Sequence, residues 1–262
     1  MIDTNVSLFQ WPFRRLDADD PASLVANLRA KGVTQAWAGS FEALLHRDVS
    51  GVNGRLAEAC RRHGPNYLVP FGTVNPLQPG WQEDLRRCVE IYKMPGIRLF
   101  PNYHGYKLDD AVAADLLALA GSRNLLIQIA LAMEDERLQY PLMRIPPVEP
   151  EPLLDLAKRL PKLRIILLNH GYHGVHTTGH IHELGETGNI YFDFANLDYI
   201  GCVAQLVKQT SLSRVVLGSH YPFYYFESAF LKVREAGLPD NEANAILEGN
   251  ARRLLRGDSS TK

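Results

Sequence analysis

Short strand-like runs alternate with helix-like segments along the whole 262-residue sequence, which predicts an α/β fold, a single-domain (β/α)8 TIM barrel. Two observations support this reading. Eight strand-like runs can be counted, the number a closed parallel barrel needs, and the chain has the usual length of such a barrel. With 46% hydrophobic and 22% charged residues, its composition suits one sizeable core.

The strands are expected near 2–8, 33–38, 67–74, 96–100, 125–131, 164–169, 190–194 and 214–217, each a short run rich in β-branched, aliphatic or aromatic residues. Helices are expected between them near 21–31, 53–63, 80–93, 110–121, 151–160, 197–209 and 224–236. Several open with helix-starting residues such as Asp20-Pro21 and Asp109-Asp110. Residues 240–256 carry apolar side chains at Ala243, Ile246, Leu247, Leu254 and Leu255, the pattern of a closing helix packed outside the barrel. The domain is placed at 1–256, with 257–262 as a flexible tail.

The formal net charge is −1 and the pI is near 6.8. Such a balance offers no basic field for nucleic acid and no polybasic segment for an anionic membrane. The first residues lack a basic and apolar leader pattern, and no apolar run reaches the ~20 residues of a membrane helix. A cytoplasmic location is expected. Cys60, Cys88 and Cys202 are odd in number and far apart, which argues against a disulfide framework or a thiolate zinc site. No Gly-x-Ser-x-Gly elbow, phosphate-binding glycine loop or dinucleotide fingerprint is present.

In a barrel of this kind the active site lies at the carboxyl ends of the strands. In the first strand Asp3, Asn5 and Ser7 alternate with Ile2, Thr4, Val6 and Leu8, so the polar set is expected to face inward. Arg98 lies in the fourth strand, followed by Tyr103 and His104 at its end. An arginine aimed into the mouth is a natural partner for a carboxylate. Equally, Arg98 could be a scaffold residue paired with Asp3 or Asp193. Asp193 ends the seventh strand, where it could orient a histidine or cap the following helix. Residues 132–150 form a long, proline-containing loop that reads as a lid or wall, and Arg144 on it could close over an anion. Residues 218–226 gather Tyr221, Phe223, Tyr224 and Tyr225, which suit either an apolar pocket or the interface of a homo-oligomer. The histidine-dense run from His170 to His182 is interrupted by glycines, so no fixed ligand spacing is assured. It is read as a flexible loop.

Taken in order, these motifs resemble the amidohydrolase-related family of TIM-barrel, metal-dependent hydrolases. That family opens with Asp-x-His-x-His, where this sequence has Asp3-Thr4-Asn5-Val6-Ser7. Leu125-Leu126-Ile127-Gln128 is similar to the fifth strand, with Gln128 where the family places a histidine, and Leu167-Leu168-Asn169-His170-Gly171 is similar to the sixth, with His170 kept. Leu217-Gly218-Ser219-His220-Tyr221-Pro222 resembles the family's Gly-Ser-Asp-x-Pro, with His220 at the position of the catalytic aspartate. Gly249 to Leu255 resembles the closing helix. The resemblance runs from Ile2 to Leu255.

The resemblance implies a hydrolase of a small organic acid, ester or lactone, with a carboxylate-bearing molecule as partner. His220 and His170 are the candidate general bases. Arg98, Asn5, Ser7, Tyr103, His104, Gln128, Arg144, Asp193 and Tyr221 are the candidate substrate-binding residues. Because three of the family's imidazoles are replaced, no tightly bound cofactor is expected, and His170 and His220 are left as ligands for at most a weakly held divalent metal. Two other readings remain open, a decarboxylase of the same superfamily and a non-catalytic small-molecule-binding barrel.

Overall fold

The structure is a computed structural model that describes residues 1–171, 180–187 and 189–257. Among the described residues seven strands, β1 (Ile2–Leu8), β2 (Gln35–Ser40), β3 (Leu68–Gly72), β4 (Gly96–Leu99), β5 (Leu126–Ala130), β6 (Arg164–Leu168) and β7 (Asn189–Phe192), form one sheet in sequence order. Every pairing is parallel. Among the described residues the α-helices are α1 (Pro21–Ala30), α2 (Val49–His63), α3 (Trp81–Glu90), α4 (Pro101–His104), α5 (Ala111–Ser122), α6 (Leu153–Arg159), α7 (Ile181–Glu186), α8 (Cys202–Gln209), α9 (Phe226–Glu235), α10 (Asp240–Asn244) and α11 (Asn250–Arg256). Local chemistry starts several of them. At α1, Asp20 accepts hydrogen bonds from the backbone N–H groups of Ala22 and Ser23, and Pro21 fills the first helical position.

The expected eighth strand is not a regular strand. Residues 215–221 close the circle through isolated bridges, Phe192 with Val215 on one side and Val6 with Tyr221 on the other. The physical reason lies in where the backbone donors go. Leu217 N–H donates to the Ile246 carbonyl at 3.1 Å instead of to a strand partner, and His220 leaves the extended region with φ 58°.

Side chains divide by strand parity. Ile2, Trp37, Phe71, Leu126, Ile166, Leu168, Tyr191 and Val216 pack together as a lower interior layer, with the Trp37 and Phe71 rings stacked at 5.2 Å. Two residues beyond Leu126 and Tyr191 the buried inward positions are Gln128 and Asp193. The amino end of the barrel is stoppered by Ala251 and Leu254 of α11, which join that layer. The C-terminal segment therefore does more than pack outside, as the sequence suggested. It is also interrupted, since a π-helical turn at Ala245–Gly249 separates α10 from α11. A larger cluster, including Val6, Leu8, Leu24, Ile97, Leu116 and Ile165, fills the space between sheet and helices.

Ile2 in the interior layer corrects the expected phase of β1. The β1–β2 register shifts between Asp3 and Val6, and such an irregularity flips the alternation. Asn5 and Ser7 then meet interior partners, whereas Asp3 accepts from the N–H and Oγ of Ser219 and from Asn5 N–H. Within the histidine-dense run, His180 and His182 bond to Glu183 and to the Gln209 carbonyl. Residues 172–179 lie outside the described residues, as do residues 258–262 of the expected tail. The three cysteines are free and buried. Among the described residues no helix is long and apolar enough to cross a membrane.

Candidate functional site

The carboxyl ends of the strands converge on a buried polar network whose centre is Asp193, immediately after β7. Its Oδ2 accepts from Asn5 Nδ2 at 2.7 Å and its Oδ1 from the Asn169 N–H at 2.9 Å. Asn5 Nδ2 also donates to Asn169 Oδ1 at 2.8 Å, and Asn169 Nδ2 to the Ala132 carbonyl at 2.8 Å. Gly218 makes room for this arrangement, because a Cβ there would lie 2.7 Å from the Asp193 side chain and 3.0 Å from Asn5 Cβ. Asn169 and His220 both hold positive φ, 57° and 58°. That region is unfavourable for residues with a Cβ and persists where the surroundings enforce it, often at functional sites.

Arg98 is buried, and its guanidinium is fully engaged. Nε donates to Gln128 Oε1 at 2.8 Å, one terminal nitrogen to the Val6 carbonyl and Ser7 Oγ, and the other to the Thr4 and Trp37 carbonyls. Gln128 returns its Nε2 to the Thr4 carbonyl at 2.7 Å. A Cβ at Gly39 would lie 2.7 Å from this guanidinium, so the glycine is what lets the cation lie against β2. No carboxylate bonds Arg98 directly among the described residues. Asp193 and Asp3 act on it only as nearby charges.

One buried cation beside two buried carboxylates sets the electrostatics of the barrel. Burial pushes Asp193 up to about 7, opposed by its hydrogen bonds from Asn169 and Asn5 and reinforced by Asp3. Asp3 is pushed up to about 6, also mainly by burial. Burial lowers Arg98 to about 10 and both His170 and His220 to about 4, so these imidazoles are neutral near pH 7. His220 Nε2 lies 2.9 Å from the Met133 carbonyl, and its ring stacks on Phe223 at 4.9 Å. The Nδ1 atoms of His170 and His220 are buried with no hydrogen-bond partner among the described residues.

The other expected site residues are dispersed. His104 is 2.9 Å from the Ala43 carbonyl, and Tyr103 packs in a ring cluster with Trp11, Phe41, Phe100 and Phe223 above the network. Arg144 is exposed on the β5 loop. The Tyr221 hydroxyl accepts from Asn27 of α1 at 3.0 Å, so it ties the closing segment to a helix. Sequence reasoning missed Asn169, which bridges Asn5 and Asp193. A signal was available, since an asparagine between a strand end and a glycine is a frequent choice for the left-handed region. It also missed Arg14, whose guanidinium pairs with the buried Glu134 and sits 5.0 Å over the Phe223 ring.

This architecture has clear relatives. The sequence model of the amidohydrolase family matches residues 8–257, and the chain belongs to that family. No curated protein sequence matches. Among solved structures, 5-carboxyvanillate decarboxylase from Sphingomonas paucimobilis is 13% identical, with TM-score 0.75, covering 98% of each chain. The 2,6-dihydroxybenzoate decarboxylase from Rhizobium is 14% identical, with TM-score 0.70, covering 98% of this chain and 100% of that one. A dihydroxybenzoic acid decarboxylase from Polaromonas sp. JS666, with bound manganese and the inhibitor 2-nitroresorcinol, is 15% identical. Its TM-score is 0.72, with 97% of this chain and 96% of that one covered. At these identities the likeness is one of fold.

The expectation that this chain holds no tightly bound metal is overturned by the manganese bound in the similar Polaromonas structure. The replaced histidines were an insufficient ground for it, since manganese also accepts carboxylate and carbonyl oxygens. Tested against an ion, the donors described here fit incompletely. Asp193, His170 and His220 are suitable ligand types, yet among the described residues no group of three or more His, Cys, Asp or Glu side chains is arranged to hold a metal. Asn5 and Gln128 are engaged with other protein groups.

Proposed function

We propose that this amidohydrolase-family barrel is an enzyme that decarboxylates a small, aromatic carboxylate, with Asp193 as the proton donor. The observation that carries the reading is a buried carboxyl at the strand ends, pushed up to about 7 by its surroundings and fixed by Asn5 and Asn169. An acid that titrates near the working pH is present in its protonated form and still gives up its proton readily. In this scheme Asp193 protonates the ring carbon bearing the substrate carboxylate. The C–C bond to that carboxylate then breaks, its electron pair restores the ring, carbon dioxide leaves, and water returns the proton to Asp193. The neutral imidazoles of His170 and His220 offer substrate hydroxyls nitrogens that have no partner among the described residues. The rings of Trp11, Phe41, Phe100 and Phe223 suit an aromatic body. Arg98 is assigned to holding the interior together and setting its potential, because its donors are already taken. Three buried free thiols support placing the protein in a reducing cytoplasm.

Hydrolysis of an ester or lactone is the second reading, favoured by membership of the family. There the ionised form of Asp193 would act as base toward water, so activity would rise through pH 7, whereas decarboxylation would fall. The test is incubation with hydroxybenzoates, aryl esters and lactones, with and without added manganese, following carbon dioxide and acid release across pH 5–9. Carbon dioxide release declining above about pH 7 and abolished in Asp193→Asn is the expected result. Acid release with the opposite pH limb would replace the decarboxylase reading by the hydrolytic one. Binding without turnover in any condition would make the barrel a binding protein.

A further inference from the structure

Asp193, His170 and His220 in the buried network are all at most 1% exposed. Something above them must move for a substrate to reach them. The segment between β1 and α1, residues 9–20, has no regular secondary structure and is bounded by strain. Phe9 and Ala18, both non-glycine, adopt positive φ of 70° and 57°. Residues in that region relax readily when their surroundings change, which suits them to be hinges.

Between those points the segment lays an apolar underside on the mouth. The Trp11 ring meets Phe41 at 5.3 Å and Phe223 at 4.9 Å, both edge-on, and Phe223 in turn stacks on His220. Arg14 crosses to the β5 loop and pairs with Glu134, whose side chain is 1% exposed. Arg14 itself is 40% exposed and lies over the outer face of the same Phe223 ring. On the segment itself a buried polar group is left over. Trp11 Nε1 is buried and has no acceptor among the described residues. A buried N–H without a partner is costly, so the site lacks an acceptor oxygen.

We infer that residues 9–20 form a lid, and that Arg14 and the Trp11 indole N–H on it are the receptor for the substrate's carboxylate, with Glu134 holding the place of that carboxylate while the lid is closed without substrate. This rests on the carboxylate-bearing substrate proposed above. Arg14 is the cation that Arg98 cannot be, because among the described residues only one of its guanidinium donors is taken, by Glu134. Opening of the lid uncovers Glu134 to water, and on closure over substrate the substrate carboxylate takes its place on Arg14 and gives the indole its acceptor. The apolar underside then covers the aromatic body.

The test is calorimetric binding of benzoate and 2,6-dihydroxybenzoate, with methyl benzoate as the uncharged control, to wild type, Glu134→Gln, Trp11→Phe and the double variant Arg14→Met/Glu134→Gln. The double variant avoids stranding a buried carboxylate and so keeps the fold. Removing the internal competitor in Glu134→Gln should tighten carboxylate binding about tenfold and speed amide hydrogen exchange across residues 9–20. The double variant should bind at least about tenfold more weakly than Glu134→Gln, and Trp11→Phe several-fold more weakly than wild type, as expected for loss of hydrogen bonds to a charged group. Methyl benzoate should show none of these differences. Equal carboxylate affinity in the double variant and Glu134→Gln overturns the receptor role of Arg14 while leaving the proposed substrate class standing. Unchanged exchange across residues 9–20 overturns the lid. Failure of both wild type and Glu134→Gln to bind either carboxylate removes the substrate class, and the receptor with it.

Discussion

Replacing Asp193 with asparagine should change how stability depends on pH, in a direction and size that follow from burial. In the folded protein the carboxyl is pushed from 3.8 up to about 7. Below pH 3.8 both folded and unfolded states hold the proton, and the group contributes no pH dependence. As pH rises from 3.8 to 7 the unfolded chain releases the proton while the folded state retains it, so stability falls. Above about 7 both are ionised, and the full cost is in place. At about 1.4 kcal/mol for each pH unit between the two values, the cost at pH 8 is about 4 kcal/mol relative to pH 3.5. The substituted amide cannot ionise, so the variant should lose about that much less stability over the same range. The contribution of Asp3, pushed up to about 6, is shared by both proteins and largely cancels. The variant also loses an acceptor for Asn5 Nδ2, a pH-independent cost of about 1 kcal/mol. Urea unfolding at half-unit steps from pH 3.5 to 8.5 measures both terms. Parallel stability curves for the two proteins would refute a perturbed Asp193 and remove the basis for its role as acid.

Arg98→Met should cost about 3–5 kcal/mol, because it leaves buried carbonyls, Gln128 and two carboxyls without their cation. Urea midpoints check this, and a near-neutral result would show Arg98 to be dispensable scaffold. Gly218→Ala places a Cβ 2.7 Å from Asp193 and should destabilise by about 1–3 kcal/mol. The same variant should move the pH at which activity changes, and an unaltered pH profile would contradict the packing. Phe71→Ala removes a fully buried ring stacked on Trp37, with an expected loss of about 3–5 kcal/mol in denaturant unfolding. A loss below about 1 kcal/mol would mean that the lower interior layer is not close-packed.

Much of the architecture was legible in the sequence, because strand and helix periodicities are local properties. β1, β4, β5 and β6 fall where apolar runs place them, and Asp20-Pro21 marks the first residue of α1. The order of motifs, rather than any one motif, carried the family membership that the match over residues 8–257 shows. The phase of β1 was missed because a strand irregularity lies in the pairing with β2 and leaves no mark on β1's own alternation. The irregularity of the eighth segment was missed for a similar reason, since Leu217 gives its N–H to the carbonyl of Ile246, in the π-helical turn near the C-terminus.

The site divides along the same line. Strand alternation and position singled out Asn5, Ser7, Arg98 and Asp193, and the family resemblance singled out Gln128, His170 and His220, because a parallel barrel sends the ends of all its strands to one mouth. Only the tertiary structure determined what each could do there. Arg98 became an interior tie once acceptors from β1, β2 and β5 surrounded it, and Asp193 became a near-neutral acid once burial outweighed its hydrogen bonds. Asn169 and Arg14 acquired roles from partners 24 and 120 residues away. Periodicity and residue type act over a few neighbouring residues and survive in the one-dimensional chain. Desolvation and hydrogen-bond partnership depend on everything within a few ångströms in space, and for this protein those neighbours come from opposite ends of the sequence.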